Sequence, residues 1–132
     1  MLEAAAKAAR DRFSGGTAAV LATRGTLSSG LYQRALEAEE VPYLIPDEAE
    51  QAALMRVIYD GVKADAAPEA YRADLEAVVE SISRRGAGYF ILGCTELPLA
   101  AAALGLAAPT LDPTEELAKS AIRWCGFQVK GE

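Results

Sequence analysis

The sequence predicts an α/β fold, a single domain over residues 1–132 with a parallel sheet of roughly four strands. Short apolar runs alternate with stretches whose apolar residues recur at helical spacing, which is the pattern of strand–helix–strand units. The run Tyr89–Leu92 is wholly apolar and contains aromatic and β-branched residues, as strands buried on both faces of a parallel sheet do. A length of 132 residues suffices for one domain with a core, but not for two.

The composition argues against several classes of function. The formal net charge of −6 argues against a nucleic-acid partner. Histidine is absent, and the two cysteines, Cys94 and Cys125, have neither CxxC nor metal-ligand spacing. We therefore expect no metal site, and free thiols in a reducing compartment. No apolar run approaches the ~20 residues that span a bilayer, and residues 1–13 lack the apolar core of a signal peptide, so we expect a cytoplasmic protein with no membrane partner.

In the first half of the sequence, predicted helices and strands flank a polar loop. The predicted elements are a helix over 2–13, a strand over 17–22, a loop over 23–30, a helix from 31 and a strand over 41–45. Ser28 or Ser29 is the expected N-cap of the second helix. This strand–loop–helix step is typical of an anion site, with backbone N–H groups facing a phosphate or carboxylate. Because no P-loop or dinucleotide motif accompanies it, an ordinary capped helix start explains the residues at least as well.

The second half continues the alternation. The predicted elements are a helix from about 46 to 64, a helix over 68–85, a strand over 87–92, a short helix to 104, a strand over 107–111 and a helix from 112 to about 125. Asp47 is expected at the start of the first of these helices, as its N-cap or as a charge in its first turn. Asp112 is a stronger N-cap candidate, because Pro113 follows it at the first helical position and Glu115 lies three residues after it.

Cys94 follows the predicted central strand directly. Gly93 ends that strand, and Pro98 stands where the first turn of a helix tolerates proline. Cys94 is thus expected at the carboxyl end of a strand, where open α/β sheets bind ligands. Backbone N–H groups of the helix could there hold a thiolate and lower the pKa of Cys94. On these residues alone, a buried cysteine at a tight turn is an equally good interpretation.

Five segments, taken in order, resemble the aspartate/glutamate racemase family. They are residues 22–33 (ATRGTLSSGLYQ), 46–51 (PDEAEQ), 58–63 (IYDGVK), 91–98 (ILGCTELP) and 111–114 (LDPT). The resemblance implies a flavodoxin-like, three-layer lobe of a cofactor-independent racemase built from two similar α/β lobes. In that family each lobe supplies one cysteine to a cleft between the lobes. The two cysteines act as opposed acid and base at the substrate Cα.

The resemblance also implies roles for individual residues. Cys94 corresponds to the catalytic cysteine of the second lobe, and Thr95 to its neighbour that helps hold the substrate carboxylate. Lys63, which is otherwise an ordinary solvated helix-end lysine, corresponds to a lysine that contacts the side-chain carboxylate in aspartate-type members. Glu96 belongs to the same motif, and capping of the following helix is its default role. The remaining substrate-binding residues implied are those of the cleft-lining loop, Thr23, Thr26 and Ser29.

Only the second lobe of the family is matched, so we expect the first lobe and its cysteine to be missing from this chain, with Cys125 no replacement. The predicted ligand is an acidic amino acid, aspartate first, and the predicted partner is a second copy of the chain. That homodimer would cover Leu117, Trp124 and the loops around Tyr32 and Cys94. Two alternatives remain: a non-catalytic lobe that binds a carboxylate or a partner chain, and a related hydantoin racemase or maleate isomerase.

Overall fold

The computed structural model describes residues 1–131 and confirms the predicted α/β class. Its sheet has four parallel strands in the order β2-β1-β3-β4. The strands are β1 (Ala18–Leu21), β2 (Tyr43–Leu44), β3 (Tyr89–Leu92) and β4 (Thr110–Leu111). The strand order reverses between β1 and β3, and ligands of open α/β sheets bind at the carboxyl ends of the strands beside such a reversal.

Helices connect the strands and cover the sheet. They are α1 (Leu2–Arg12), α2 (Arg24–Ser29), α3 (Leu31–Ala38), α4 (Glu48–Met55), α5 (Arg72–Arg84), α6 (Glu96–Leu104) and α7 (Pro113–Trp124). A π-helix (Arg56–Val62) continues α4, and a 3-10 turn (Pro68–Ala70) precedes α5. None of the helices within residues 1–131 is long and apolar enough to cross a membrane.

The sheet separates two apolar layers, which confirms the three-layer architecture. Alternate residues of β1 and β3 point to opposite faces. Leu21 and Phe90 pack with α4, the π-helix, α5 and α6, whereas Val20 and Ile91 pack with α1, α2 and α3. All eight residues of these two strands are buried, as their unbroken apolar sequences predict for a sheet covered on both sides.

The predicted loop 23–30 is wrong in its larger part, because residues Arg24–Ser29 form the short helix α2. The Thr23 hydroxyl accepts a hydrogen bond from the Thr26 N–H at 3.3 Å and caps this helix. Gly30 ends it with a φ of 72°, a left-handed conformation that glycine adopts easily. Gly30, rather than Ser28 or Ser29, is therefore the residue from which α3 begins.

Two further helices begin at the predicted capping residues, Asp47 and Asp112. Asp47 forms a reciprocal capping box with Glu50, and the Asp112 carboxylate accepts from the Thr114 N–H at 3.0 Å. Glu115 does not complete a capping box with Asp112; its carboxylate instead lies 3.0 Å from Lys119. The helix predicted over 68–85 is interrupted at Tyr71, between the 3-10 turn and α5.

Candidate active site

The carboxyl ends of β1 and β3 meet at one point of the sheet edge. Leu21 and Leu92 are paired across the two strands, and the Gly93 N–H donates to the Leu21 carbonyl at 2.7 Å. A Cβ at position 93 would lie 3.0 Å from both the Leu21 oxygen and the Ala22 Cβ. Glycine thus lets the two strand ends come close together. Thr23 and Cys94 each stand two residues beyond the Leu21–Leu92 pair, so both face this edge.

Cys94 is a half-buried thiol at the start of α6. Burial raises the pKa of Cys94 above its usual value, and the neighbouring Glu96 carboxylate raises it further. Hydrogen bonds from the backbone N–H groups of Leu97 and Glu96 oppose this rise without overcoming it. The expected depression of the Cys94 pKa is therefore wrong. The N–H groups of α6 do face the sulfur, but burial and, after it, the Glu96 carboxylate favour the protonated thiol.

Glu96 connects the groups around Cys94, a role that its position in the sequence does not reveal. Its carboxylate accepts from the Thr95 hydroxyl at 3.2 Å, lies 3.6 Å from the Lys63 ammonium and contacts the Cys94 thiol. Burial would raise the pKa of Glu96, but hydrogen bonds from its own N–H and Thr95, together with the Lys63 charge, hold it below its usual value. Glu96 is therefore ionised at neutral pH.

Of the three hydroxyl residues assigned to a cleft-lining loop, Thr26 and Ser29 lie on α2 and Thr23 is its N-cap. The Thr23 and Thr26 hydroxyls share a hydrogen bond of 2.9 Å, and both are half-buried at the start of the helix. Ser29 is exposed at the far end of α2, where its hydroxyl donates to the Thr26 carbonyl at 2.6 Å. Thr23 and Thr26 thus stand nearer to the sheet edge than Ser29 does.

Tyr32 on α3 reaches the same edge from beneath. It is 3 % exposed within the single chain, so Tyr32 needs no homodimer to cover it, contrary to the expectation from the sequence. Its ring packs so closely that a Cβ on Gly93 would lie 3.2 Å from the Tyr32 Cε2. Burial, followed by the negative charges of Cys94 and Asp112, raises the pKa of Tyr32 to about 12. Its hydroxyl therefore stays protonated at neutral pH, and within residues 1–131 it has no hydrogen-bond partner.

We expect Tyr32→Phe to raise the free energy of unfolding by about 1 kcal/mol, because a buried hydroxyl without a partner costs roughly 1–3 kcal/mol. Chemical denaturation measures the change. Tyr43→Phe is the matched control: it removes a hydroxyl that donates to Glu37 at 2.6 Å, so it should not stabilise the protein. A loss of stability in Tyr32→Phe would contradict the isolation of its hydroxyl.

The second cysteine does not join this site. Cys125 is exposed and follows the last residue of α7. Helix α7 begins at the carboxyl end of β4 and runs for 12 residues, so Cys125 lies about 18 Å farther along its axis. Within residues 1–131, histidine, cysteine and carboxylate side chains form no group of three that could hold a metal ion.

The comparisons with known proteins agree with the five segments noted in the sequence. Residues 1–121 match the model of the Asp/Glu/Hydantoin racemase family. The chain belongs to this family. An uncharacterized protein from the pnlA 3′ region of Pectobacterium carotovorum subsp. carotovorum is 36% identical over 107 residues, which are 80% of this chain and 70% of that protein.

Solved structures of longer chains are similar to this member of the racemase family. A proposed Asp/Glu racemase from Yersinia pestis is 26% identical with a TM-score of 0.80, over 93% of this chain and 54% of its own. The aspartate racemase of Picrophilus torridus is 26% identical with a TM-score of 0.72, over 98% of this chain and 53% of its own. The chain thus spans about half the length of these similar structures.

Proposed function

We propose that this chain is one lobe of a cofactor-independent racemase for an acidic amino acid, aspartate first, with Cys94 exchanging a proton with the substrate Cα. The observation that carries this proposal is the position of Cys94. The thiol lies at the strand reversal of the sheet, against two N–H groups of α6, and is linked through Glu96 to Thr95 and to the Lys63 cation. Membership of a racemase family supports the same reaction class.

The raised pKa of Cys94 supports the role of proton donor. At neutral pH Cys94 is a thiol, so it can deliver a proton to one face of Cα while a base removes the proton from the other face. The Cys94 thiolate left behind is then the base for the reverse reaction. The intermediate carries negative charge on the α-carboxylate, which Thr95, Thr23 and Thr26 would hold by hydrogen bonds. Ser29 would do so only after giving up its hydrogen bond to the Thr26 carbonyl. Lys63 would bind the side-chain carboxylate.

A second thiol has to come from outside this site, because Cys125 stands at the far end of α7. We propose that it comes from a second copy of the chain in a homodimer. The apolar residues of α7 support such a contact, since Leu117, Ile122 and Trp124 are exposed, Trp124 by 92 %. In this proposal the two-fold axis of the dimer brings two Cys94 thiols to opposite sides of one cleft.

A second candidate is a lobe that binds a carboxylate without catalysing its racemisation. Two observations favour it: one thiol at the site, and the Glu96 carboxylate already occupying Lys63. This candidate predicts binding of aspartate without exchange of its Cα proton. It therefore differs from the racemase in one measurable step.

The test is Cα deuterium incorporation into L- and D-aspartate and L- and D-glutamate in D2O, followed by chiral analysis of the product. We expect slow exchange that Cys94→Ala abolishes and Cys125→Ala leaves unchanged. Inversion requires the second thiol, so it should accompany a sedimentation mass near twice the 13.9 kDa of one chain. Exchange that survives Cys94→Ala would sink the proposal, and binding without exchange would establish the second candidate.

A further inference from the structure

The π-helix Arg56–Val62 positions Lys63, the residue that follows it, at the site. Its wide turns are closed by bonds between residues five apart: the Lys63 N–H donates to the Ile58 carbonyl at 2.9 Å, and the Ala66 N–H to the Gly61 carbonyl at 3.0 Å. Such turns are rare inside helices and are frequent at functional sites. The segment packs against α6, whose first residue is Glu96, so Lys63 extends toward the residues beside Cys94.

Gly61 permits this irregular turn to lie close to the core. A Cβ at Gly61 would stand 2.6 Å from the Cδ1 of Tyr71, a ring that is itself buried. The backbone of the π-helix is thereby seated on the start of α5, while Val57 and Ile58 are fully buried beneath it. Packing therefore fixes the position of the backbone that carries the Lys63 side chain.

Two contacts hold the free end of Lys63. Its ammonium lies 4.8 Å from the centre of the Tyr59 ring and 3.6 Å from the Glu96 carboxylate. Tyr59 is 46 % exposed. A large aromatic ring that stays this exposed gains little from burial. Lysine is a flexible side chain, and an aromatic face restricts where its cation can go.

We propose that Tyr59 is a positioning residue that keeps Lys63 aimed at the cleft and so sets the preference for a ligand with two carboxylates. This inference rests on the proposed function. A ligand carboxylate arriving at Lys63 competes with Glu96 for the same cation. The neutral ring of Tyr59 does not compete, so it holds the ammonium in place while its anionic partner changes. Tyr59 thus acts on the ligand only through Lys63.

Calorimetric titration of L-aspartate and L-alanine tests this inference. For Tyr59→Leu we expect aspartate affinity to fall by about two- to five-fold, the worth of an exposed cation–π contact, with alanine affinity unchanged. Tyr59→Phe, which keeps the ring, should bind both ligands as the parent does. Because Tyr59 is 46 % exposed, both variants should fold, and Tyr59→Leu should lower the melting temperature by no more than about 4–8 °C, the shift that 1 kcal/mol causes.

Lys63→Met separates failure of this inference from failure of the proposed function. If Lys63→Met weakens aspartate binding but Tyr59→Leu does not, the positioning role of Tyr59 is wrong and the carboxylate site stands. If Lys63→Met leaves aspartate affinity unchanged, the assignment of Lys63 to the substrate falls. An equal loss of aspartate and alanine in Tyr59→Leu, or a Tyr59→Phe as weak as Tyr59→Leu, would also overturn the inference.

Discussion

Gly61→Ala is expected to lower the free energy of unfolding by about 2 kcal/mol. The added methyl carbon would stand 2.6 Å from the Tyr71 Cδ1 and 3.0 Å from its Cγ, well inside van der Waals contact. Tyr71 is 6 % exposed and packs in the core with Leu75 and Ile58, so its ring cannot swing into solvent. Forcing an extra carbon into such a site typically costs about 1–3 kcal/mol.

The matched control is Gly25→Ala, and it should move stability in the opposite direction. Gly25 lies in α2, and a Cβ there would meet no atom within 4 Å. Alanine in a helix is favoured over glycine by about 1 kcal/mol, so Gly25→Ala should be neutral or stabilising. Urea denaturation of both variants measures the two changes in the free energy of unfolding. Equal stabilities for Gly61→Ala and Gly25→Ala would mean that the π-helix does not press on Tyr71.

Glu96→Gln is expected to make the Cys94 thiol more reactive by lowering its pKa. The Glu96 carboxylate is among the groups that raise the Cys94 pKa, after burial, and glutamine keeps the shape without the charge. At a pH below the pKa of Cys94, the thiolate fraction grows as the pKa falls. The rate of iodoacetamide alkylation at pH 7 should therefore rise by up to about ten-fold, the equivalent of one pKa unit, which is the low end of what a close charge produces.

The controls for this measurement separate the local charge from the net charge. Glu80→Gln removes a carboxylate on α5 that pairs with Arg84 in solvent, and it should leave the alkylation rate of Cys94 unchanged. Labelling is followed in a Cys125→Ala background, so that the exposed second thiol does not contribute. A pH profile of Cys94 alkylation that is identical in the parent and in Glu96→Gln would show that burial alone sets the pKa of Cys94.

The sequence predicted those parts of the molecule that local patterns determine. The apolar runs of β1 and β3 identify strands covered on both faces, because every side chain of such a strand must leave water. The cap residues Asp47 and Asp112 mark their helix starts, because their carboxylates satisfy N–H groups only two or three residues away. The five segments 22–33, 46–51, 58–63, 91–98 and 111–114 sufficed to identify the family. Substrate roles for Thr23, Thr26, Ser29, Lys63 and Thr95 remain predictions.

Only the tertiary structure decided how the site is arranged electrostatically. Glu96 and Lys63 are far apart in the chain, and their approach to 3.6 Å depends on how the π-helix packs against α6. The expected low pKa of Cys94 was wrong because helix N-terminal N–H groups are visible in a sequence, whereas the burial and the neighbouring charge that outweigh them are not. Burial of Tyr32 likewise follows from α3 packing under Gly93. A pKa depends on every group around the atom, and the folded chain determines which groups those are.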